Sequence, residues 1–168
     1  IKLENIIPNH LSILINKLIE SGSIIDIKAN SLTIEMKKRP NSIDMVTSIY
    51  PGFPTDLQAQ WMALMTISEG SCTVTDTIYT DRFTHVAELE RLGAKIHLDN
   101  NVAHINGVNN LFGAEVMSTD IRASASLVIA GLAAKGETSI SRIYHIDRGY
   151  EKIEEKFKKI GTNITRLK

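Results

Sequence analysis

Apolar residues are spaced as in an amphipathic helix over residues 8–21. They fall on one helical face at Leu11, Leu14, Ile15, Leu18 and Ile19. A period of three to four residues is typical of a helix with one buried side, and Gly22 suits its C-terminal end. Residues 24–29 and 32–36 then alternate between apolar and polar side chains, which predicts two paired strands.

A second helix is predicted from Thr55 to Gly70, with Gln58 completing a capping box at its start. Residues 72–78 follow as a strand whose threonines form a polar face. The same order of elements then returns along the chain. The later predicted helices cover residues 83–92, 120–135 and 149–160, and the later predicted strands cover 95–98, 102–106, 138–144 and 163–167.

This returning order is an internal repeat, because four landmarks recur 64 to 68 residues further on. They pair Asp56 with Asp120, Gly70 with Gly136, Arg82 with Arg148 and Gly93 with Gly161. The repeating unit has the order βαβαββ. Repeats of this kind are related units that pack around a shared core.

The helix predicted at residues 120–135 is composed largely of alanine, serine and glycine and has almost no large polar face. Small residues on all sides suit a helix packed closely among other elements. Several predicted strands, in contrast, keep one polar face. We therefore predict a single α/β (α+β) domain with its helices buried and its sheets outside.

Composition narrows the possible partners and the compartment. Lys+Arg and Asp+Glu both number 19, so the net charge is zero, and neither nucleic acid nor an anionic membrane is an expected partner. One cysteine, Cys72, excludes an internal disulfide and favours the cytoplasm. No apolar run is long enough to span a bilayer. Because the chain opens at Ile1 without a methionine, we expect upstream sequence to be missing.

Arginines predicted in the first turns of three helices are the strongest candidates for chemistry: Arg82, Arg122 and Arg148. A helix N-terminus already carries partial positive charge, so an arginine there is unfavourable unless an anion is present. Each arginine could instead pair with its neighbouring aspartate or point into solvent. Their matching positions in the repeat favour a shared anion pocket.

Two aspartates lie near these arginines. Asp56 and Asp120 each suit the first turn of a helix as dipole-stabilising carboxylates, and either could instead act as a general base for a substrate hydroxyl. Cys72 lies on the apolar side of its strand and is expected to be a buried structural thiol. The five histidines lack metal-ligand spacing, and no phosphate-binding or dinucleotide-binding glycine motif is present. No metal or organic cofactor is expected.

Three long segments, PGFPTDLQAQ at 51–60, TDIRASASLV at 119–128 and RIYHIDRGYE at 142–151, resemble the UDP-N-acetylglucosamine 1-carboxyvinyltransferase family. The resemblance runs over essentially the whole chain. It implies transfer of the enolpyruvyl group of phosphoenolpyruvate to the sugar 3-hydroxyl, the first committed step of peptidoglycan biosynthesis. It also implies two domains, each an inside-out α/β barrel of three βαβαββ repeats, with residues 1–168 forming most of the C-terminal one.

The resemblance further implies a role for each candidate residue. Asp56 would accept the proton of the sugar hydroxyl, Arg148 would bind the phosphoenolpyruvate anion, and Asp120 would lie near the reacting carbon. Arg82 and Arg122 would line the same cleft, and Ile78 would touch the sugar nucleotide.

Two features of that family are absent from this chain. Cys72 does not match the family's general-acid cysteine, which belongs to the other domain, and the lysine that binds phosphoenolpyruvate is missing. The N-terminal domain of the same enzyme is therefore an expected partner, and this chain alone is expected to be inactive. Two alternatives remain: the sister enzyme 5-enolpyruvylshikimate-3-phosphate synthase, and a non-catalytic module that binds a uridine nucleotide.

Overall fold

The computed structural model describes residues 1–167 and has mixed α/β content. The strands are β1 Lys2–Glu4, β2 Ile24–Lys28, β3 Ser31–Glu35, β4 Met45–Val46, β5 Ser71–Thr75, β6 Lys95–Asp99, β7 Val102–Asn106, β8 Glu115–Met117 and β9 Ser139–Ser141. The helices are α1 Ser12–Glu20, α2 Gln58–Met65, α3 Val86–Arg91, α4 Ile121–Ala133, α5 Tyr144–Asp147 and α6 Ile153–Lys159. Short 3₁₀ turns at Pro8–Leu11 and Thr55–Leu57 lead into α1 and α2.

The predicted βαβαββ unit is present once in full, as β4-α2-β5-α3-β6-β7. Its sheet has the order β4-β5-β7-β6, in which β4 and β5 are parallel and the other pairs antiparallel. The elements before it, β1-α1-β2-β3, repeat the order of its second half, with sheet order β1-β3-β2. The elements after it, β8-α4-β9, repeat its first half, since β8 and β9 are parallel.

The packing of α2 against α4 forms the centre of the core. Six of the eight α2 residues are buried, and so are seven of the thirteen in α4. Ala123 and Ala130 of α4 are each only 1% exposed. Such short side chains let two helices approach closely at native packing density. The predicted burial of this helix is confirmed.

The repeat also holds in the turns that follow the two central helices. Gly70, after α2, and Gly136, after α4, have φ angles of +95° and +92°. This is the left-handed region that glycine adopts at little cost and other residues avoid. The two landmarks that the sequence pairs therefore have the same backbone conformation.

Several predicted boundaries are wrong. The helix predicted from Thr55 to Gly70 has a 3₁₀ start and ends at Met65. Its capping box does not form: no side chain caps the start, and the Thr55 hydroxyl donates to Asp76 and accepts from Arg82. The strand predicted at 72–78 ends at Thr75.

Residues 163–167, predicted as a strand, are not in any ladder of the described chain. They line a cavity of about 680 Å³ together with β9 residues such as Ser139 and Ile140. A strand exists through its hydrogen-bonded neighbour. Within residues 1–167 this segment has no such neighbour.

Cys72 is 6% exposed on the inner side of β5, as predicted. Burial, reinforced by the nearby negative charge of Asp44, raises the pKa of the thiol to about 11. A thiol in this state is almost entirely protonated near neutral pH and is a poor nucleophile. Cys72 is therefore a packing residue.

Arg39 joins two loops that lead away from the core. Its guanidinium donates to the carbonyl oxygens of Ile67 at 2.9 Å, Ser68 at 2.7 Å and Val108 at 2.9 Å, and to Asn109 Oδ1 at 2.7 Å. Two of these carbonyls lie just beyond the end of α2, where helical backbone oxygens lack partners. One cation thus fixes the exit of α2 against the loop after β7.

We expect Arg39→Met to lower the free energy of unfolding by about 2 kcal/mol, because hydrogen bonds from a charged donor to partly buried carbonyls are lost together. Urea denaturation followed by the fluorescence of Trp61 measures this. Lys38→Met, at the exposed neighbouring position, is the matched control and should change stability by less than about 0.5 kcal/mol. Equal effects of the two substitutions would contradict the assignment.

Candidate active site

The starts of α2 and α4 lie side by side, so that corresponding positions of the repeat meet. Asp56 is in the 3₁₀ turn that leads into α2, and Arg122 is in the first turn of α4. Arg122 Nη1 lies 3.2 Å from Asp56 Oδ1. The packing of the two helices therefore converts a separation of 66 residues in sequence into an ion pair.

Arg82 reaches the same carboxylate from the loop between β5 and α3. Its Nη1 lies 3.4 Å from Asp56 Oδ1 and donates to Thr55 Oγ1 at 3.1 Å. Its guanidinium also stacks 4.3 Å from the centre of the Tyr79 ring. Asp56 is thus held between two cations, yet its side chain remains 74% exposed and accessible to a substrate.

Asp120 is the N-cap of α4. Its Oδ1 accepts hydrogen bonds from the backbone N–H groups of Arg122 at 2.8 Å and Ala123 at 3.1 Å. Partial burial alone would raise the pKa of Asp120. The two N–H groups and the positive charge of Arg122 outweigh that effect and lower the pKa below its ordinary value. The predicted helix-dipole position of Asp120 is confirmed, and its carboxylate also faces the Arg122 side chain at 3.5 Å.

Of the three arginines predicted in first turns, only Arg122 is in one. Arg82 precedes α3 by several residues, and Arg148 follows α5 as its C-terminal cap. Neither arginine pairs with its neighbouring aspartate, since Arg82 contacts Asp56 and Asp147 pairs with Arg166 at 2.9 Å. The sequence pattern placed the helix starts too early in these two segments.

Arg148 is exposed and has no hydrogen bond or ion pair to any of residues 1–167. It lies close to the start of α4, because a Cβ atom built on the next residue, Gly149, would lie 2.2 Å from Ile121 Cδ1. A larger residue at position 149 would require the Ile121 side chain to move. Arg148 therefore flanks the Asp56 cluster without joining it.

Ile78 is 43% exposed in the loop after β5 and lies four residues before Arg82. Its backbone N–H donates to Asp76 Oδ1 at 3.0 Å, which fixes the turn that leads to Arg82.

Sequence reasoning missed two residues under the site, Asp76 and His85. Asp76 is fully buried and accepts four hydrogen bonds. A signal for it existed, since Asp76 continues the apolar side of the strand begun by Cys72 and Val74. A carboxylate at such a position needs several donors.

His85 is 2% exposed and stacks on Phe83, with its Nε2 atom 3.4 Å from Met62 Sδ. Burial lowers the pKa of His85 from its ordinary value near 6.5 to about 4, although the nearby charge of Asp120 acts in the opposite direction. The imidazole is therefore neutral at physiological pH. Its position beneath Asp120 and Arg122 makes it a part of the floor of the site.

The cluster formed by Asp56, Asp120, Arg82 and Arg122 combines two carboxylates with two cations at a solvent-accessible surface. Such an arrangement can bind an anionic substrate and accept a proton from it. Within residues 1–167, no group of three or more His, Cys, Asp or Glu side chains is arranged to hold a metal ion. None of the helices described in that range is long and apolar enough to cross a membrane.

The chain matches the profile of the EPSP synthase (3-phosphoshikimate 1-carboxyvinyltransferase) family over residues 1–157. It is 50% identical over 167 residues to the UDP-N-acetylglucosamine 1-carboxyvinyltransferase of Hydrogenovibrio crunogenus. It is 49% identical over 168 residues to the enzyme of the same name from Helicobacter pylori. These alignments cover 99% and 100% of this chain, which spans 40% of the length of each relative.

Solved structures show the same fold. The crystal structure of the enolpyruvyl transferase NikO from Streptomyces tendae matches with a TM-score of 0.87 at 25% identity, over 98% of this chain and 39% of NikO. An EPSP synthase from Acinetobacter baumannii matches with a TM-score of 0.58 at 18% identity, over 75% of this chain and 31% of that protein. The chain therefore shares the architecture of enolpyruvyl transferases.

The buried His85 predicts a pH-dependent stability. Between pH 6.5 and pH 4 the unfolded chain takes up a proton that the folded chain excludes, so stability falls as the pH is lowered. The free energy of unfolding should drop by about 2 kcal/mol from about pH 7 to about pH 5.

Urea denaturation across this pH range measures the effect. His85→Phe, which fills the same apolar site without a titrating group, should remove most of the slope. His10→Phe, at an exposed position, should keep it. A His85→Phe variant that retains the full slope would show that another group is responsible.

Proposed function

Because this chain belongs to the EPSP synthase family, we propose that the whole protein transfers the enolpyruvyl group of phosphoenolpyruvate to the 3-hydroxyl of UDP-N-acetylglucosamine with release of phosphate. The choice of acceptor is supported by relatives of that name at 49–50% identity along the whole chain. The observation that carries the proposal is the exposed Asp56 carboxylate held between Arg82 and Arg122. The reaction is the first committed step of peptidoglycan biosynthesis, and we place it in the cytoplasm.

In the proposed reaction, Asp56 accepts the proton of the sugar hydroxyl while that oxygen forms a bond to C2 of phosphoenolpyruvate. C3 of phosphoenolpyruvate gains a proton from an acid outside this chain. The resulting tetrahedral intermediate loses phosphate from C2 and returns a proton from C3 to the conjugate base of that acid, which restores the double bond. No electron donor or acceptor is needed.

In this proposal Arg82 and Arg122 pair with Asp56 in the free protein and bind the anionic groups of phosphoenolpyruvate in the complex. In the free protein they neutralise Asp56 at 3.4 and 3.2 Å. The phosphate and carboxylate groups of phosphoenolpyruvate are competing partners for both guanidinium groups. Binding of the anion therefore weakens the hold on Asp56 and frees its carboxylate to accept a proton.

The remaining residues complete the site. Arg148, which has no described partner to displace, binds the anion of phosphoenolpyruvate from the side of α5. Asp120, whose lowered pKa keeps it ionised, stabilises the positive charge that develops at C2 during addition. Ile78 offers an apolar side chain and a backbone carbonyl to the sugar nucleotide.

We further propose that residues 1–168 form most of the C-terminal domain, an inside-out barrel of three βαβαββ units. The complete unit is flanked by half of a unit on either side, which leaves strands and helices to be supplied by the rest of the protein. A cavity of about 680 Å³ lined by β9 and residues 163–167 adjoins the second of these half-units. The N-terminal domain would close over Asp56 and supply the missing acid, so that this chain is inactive alone.

Phosphate release by the whole protein tests the assignment. We expect release from phosphoenolpyruvate only when UDP-N-acetylglucosamine is added, because the relatives that are 49–50% identical along the whole chain are named for that acceptor. Shikimate 3-phosphate should give none. Release with shikimate 3-phosphate alone would assign the protein to the sister enzyme, and release with neither acceptor would favour a nucleotide-binding module.

Asp56→Asn should lower kcat by about 10² to 10⁴, because the amide keeps the size of the side chain but cannot accept the hydroxyl proton. Steady-state kinetics of phosphate release give the ratio. Asp81→Asn, an exposed carboxylate next to Arg82, is the matched control and should leave kcat within about twofold of wild type. Undiminished turnover in Asp56→Asn would exclude Asp56 as the base.

A further inference from the structure

Asp76 has no place in the proposed chemistry, yet it is a buried carboxylate that binds Thr55, the residue next to Asp56. It is 0% exposed and lies at the end of β5, beneath Thr55. We propose that Asp76 is a positioning residue that orients the Thr55 hydroxyl and, through it, holds Arg82 against the base Asp56. The expected effect on catalysis rests on the proposed function. The contacts that position Arg82 do not depend on it.

The two oxygens of Asp76 have different partners. Oδ1 accepts three hydrogen bonds, from Thr47 Oγ1 at 2.8 Å and from the backbone N–H groups of Ile78 at 3.0 Å and Tyr79 at 2.9 Å. Oδ2 accepts one bond from the described chain, from Thr55 Oγ1 at 2.6 Å. One oxygen therefore closes the turn after β5, and the other is devoted to Thr55.

The bond to Asp76 fixes the direction of the Thr55 hydroxyl. A hydroxyl has one proton to donate, and at 2.6 Å from an ionised carboxylate that proton points to Asp76. The lone pairs of Thr55 then face Arg82 Nη1, which donates to them at 3.1 Å. The same Nη1 atom contacts Asp56 Oδ1 at 3.4 Å, so the order is Asp76, Thr55, Arg82, Asp56.

Burial strengthens this chain of contacts. Burial alone would raise the pKa of Asp76, but the hydrogen bonds from Thr55, Tyr79, Thr47 and Ile78 outweigh it and lower the pKa. Asp76 is therefore a carboxylate at physiological pH. A buried negative charge polarises the hydroxyl bound to it, which makes that oxygen a better acceptor for a guanidinium.

A second contact leads from Asp76 to Arg82. The backbone N–H of Tyr79 donates to Asp76 Oδ1, and the Tyr79 ring stacks on the Arg82 guanidinium at 4.3 Å. The Tyr79 ring thus packs on the face of the Arg82 guanidinium, the Thr55 hydroxyl binds its Nη1 atom, and both Tyr79 and Thr55 bind Asp76. A carboxylate that only closed the turn after β5 would need the bond from Tyr79 but not the bond from Thr55.

Asp76→Asn separates the two tasks. An asparagine can keep its carbonyl oxygen at the Oδ1 position and preserve the turn, but it then presents an N–H donor to Thr55. The Thr55 hydroxyl must then accept a hydrogen bond from residue 76 instead of donating one. Its oxygen is therefore shared between the new amide N–H and Arg82. Thr55→Val removes the hydroxyl altogether without touching Asp76.

In the whole protein with phosphoenolpyruvate and UDP-N-acetylglucosamine, each of the two substitutions should lower kcat by about tenfold, because the base and its arginine are slightly misplaced. The double variant should be no slower than the slower single variant, since both changes break the same chain of contacts. Thr55→Ser should restore kcat to within about twofold of wild type, since serine keeps the hydroxyl.

Thr47→Val is the matched control. It removes one donor to Asp76 Oδ1 and an acceptor of the Thr77 N–H, and within residues 1–167 Thr47 has no hydrogen bond to Thr55 or Arg82. Its effect on kcat should be small and should multiply with that of Thr55→Val. Multiplicative losses for Asp76→Asn with Thr55→Val would overturn the inference. If Asp76→Asn fails to fold, an unchanged kcat in Thr55→Val would still overturn it.

The side-chain ¹⁵N resonances of Arg82, assigned with Arg82→Lys, provide a test that does not need turnover. We expect slow guanidinium rotation in the wild type and in Thr47→Val, and fast rotation in Asp76→Asn and Thr55→Val. If the wild type releases no phosphate with any acceptor, the proposed function fails while this measurement still decides the positioning. Unchanged Arg82 rotation in both variants would refute it.

Discussion

Close packing between α2 and α4 is the constraint on which the site depends. The small side chains of α4 let the two helices approach, and related positions of the repeat then meet at their N-terminal ends. Asp56 from one copy of the repeat can reach Arg122 from the other for this reason alone. The unusual composition of α4 is thus tied to chemistry as well as to burial, because a bulkier helix would separate the two ends.

Sequence patterns predicted the parts of the fold that depend on local chemistry. Gly70 and Gly136 marked the repeat because the turns that follow α2 and α4 both need the left-handed conformation, and the alternation in β2 and β3 was sufficient to predict their pairing. The segment at 163–167 failed because its alternating pattern requires a partner strand that residues 1–167 do not provide. The residues of a strand alone therefore do not show whether a partner strand is present to form hydrogen bonds with it.

The candidate site also has some residues that the sequence predicted correctly and others that only the structure reveals. Asp56, Arg82 and Arg122 were predicted as a group and are in contact, whereas Arg148 lies beside them. The copies of the repeat have also diverged, since Asp120 caps its own helix while Asp56 caps nothing and is held by two side chains. Only the three-dimensional arrangement distinguishes these two aspartates, because their sequence contexts suggest the same helix-start role. Asp76 escaped notice because a single polar residue on an apolar face has no periodicity of its own.

The buried thiol of Cys72 has a practical consequence for studying motion in this protein. With its pKa near 11 and its side chain enclosed by β5 and its neighbours, it should react very slowly with maleimide dyes near neutral pH. A cysteine introduced at an exposed position such as Tyr50, six residues before Asp56, would then be the reactive thiol of this chain. A fluorophore attached there would report the approach of the proposed second domain without background labelling from residue 72.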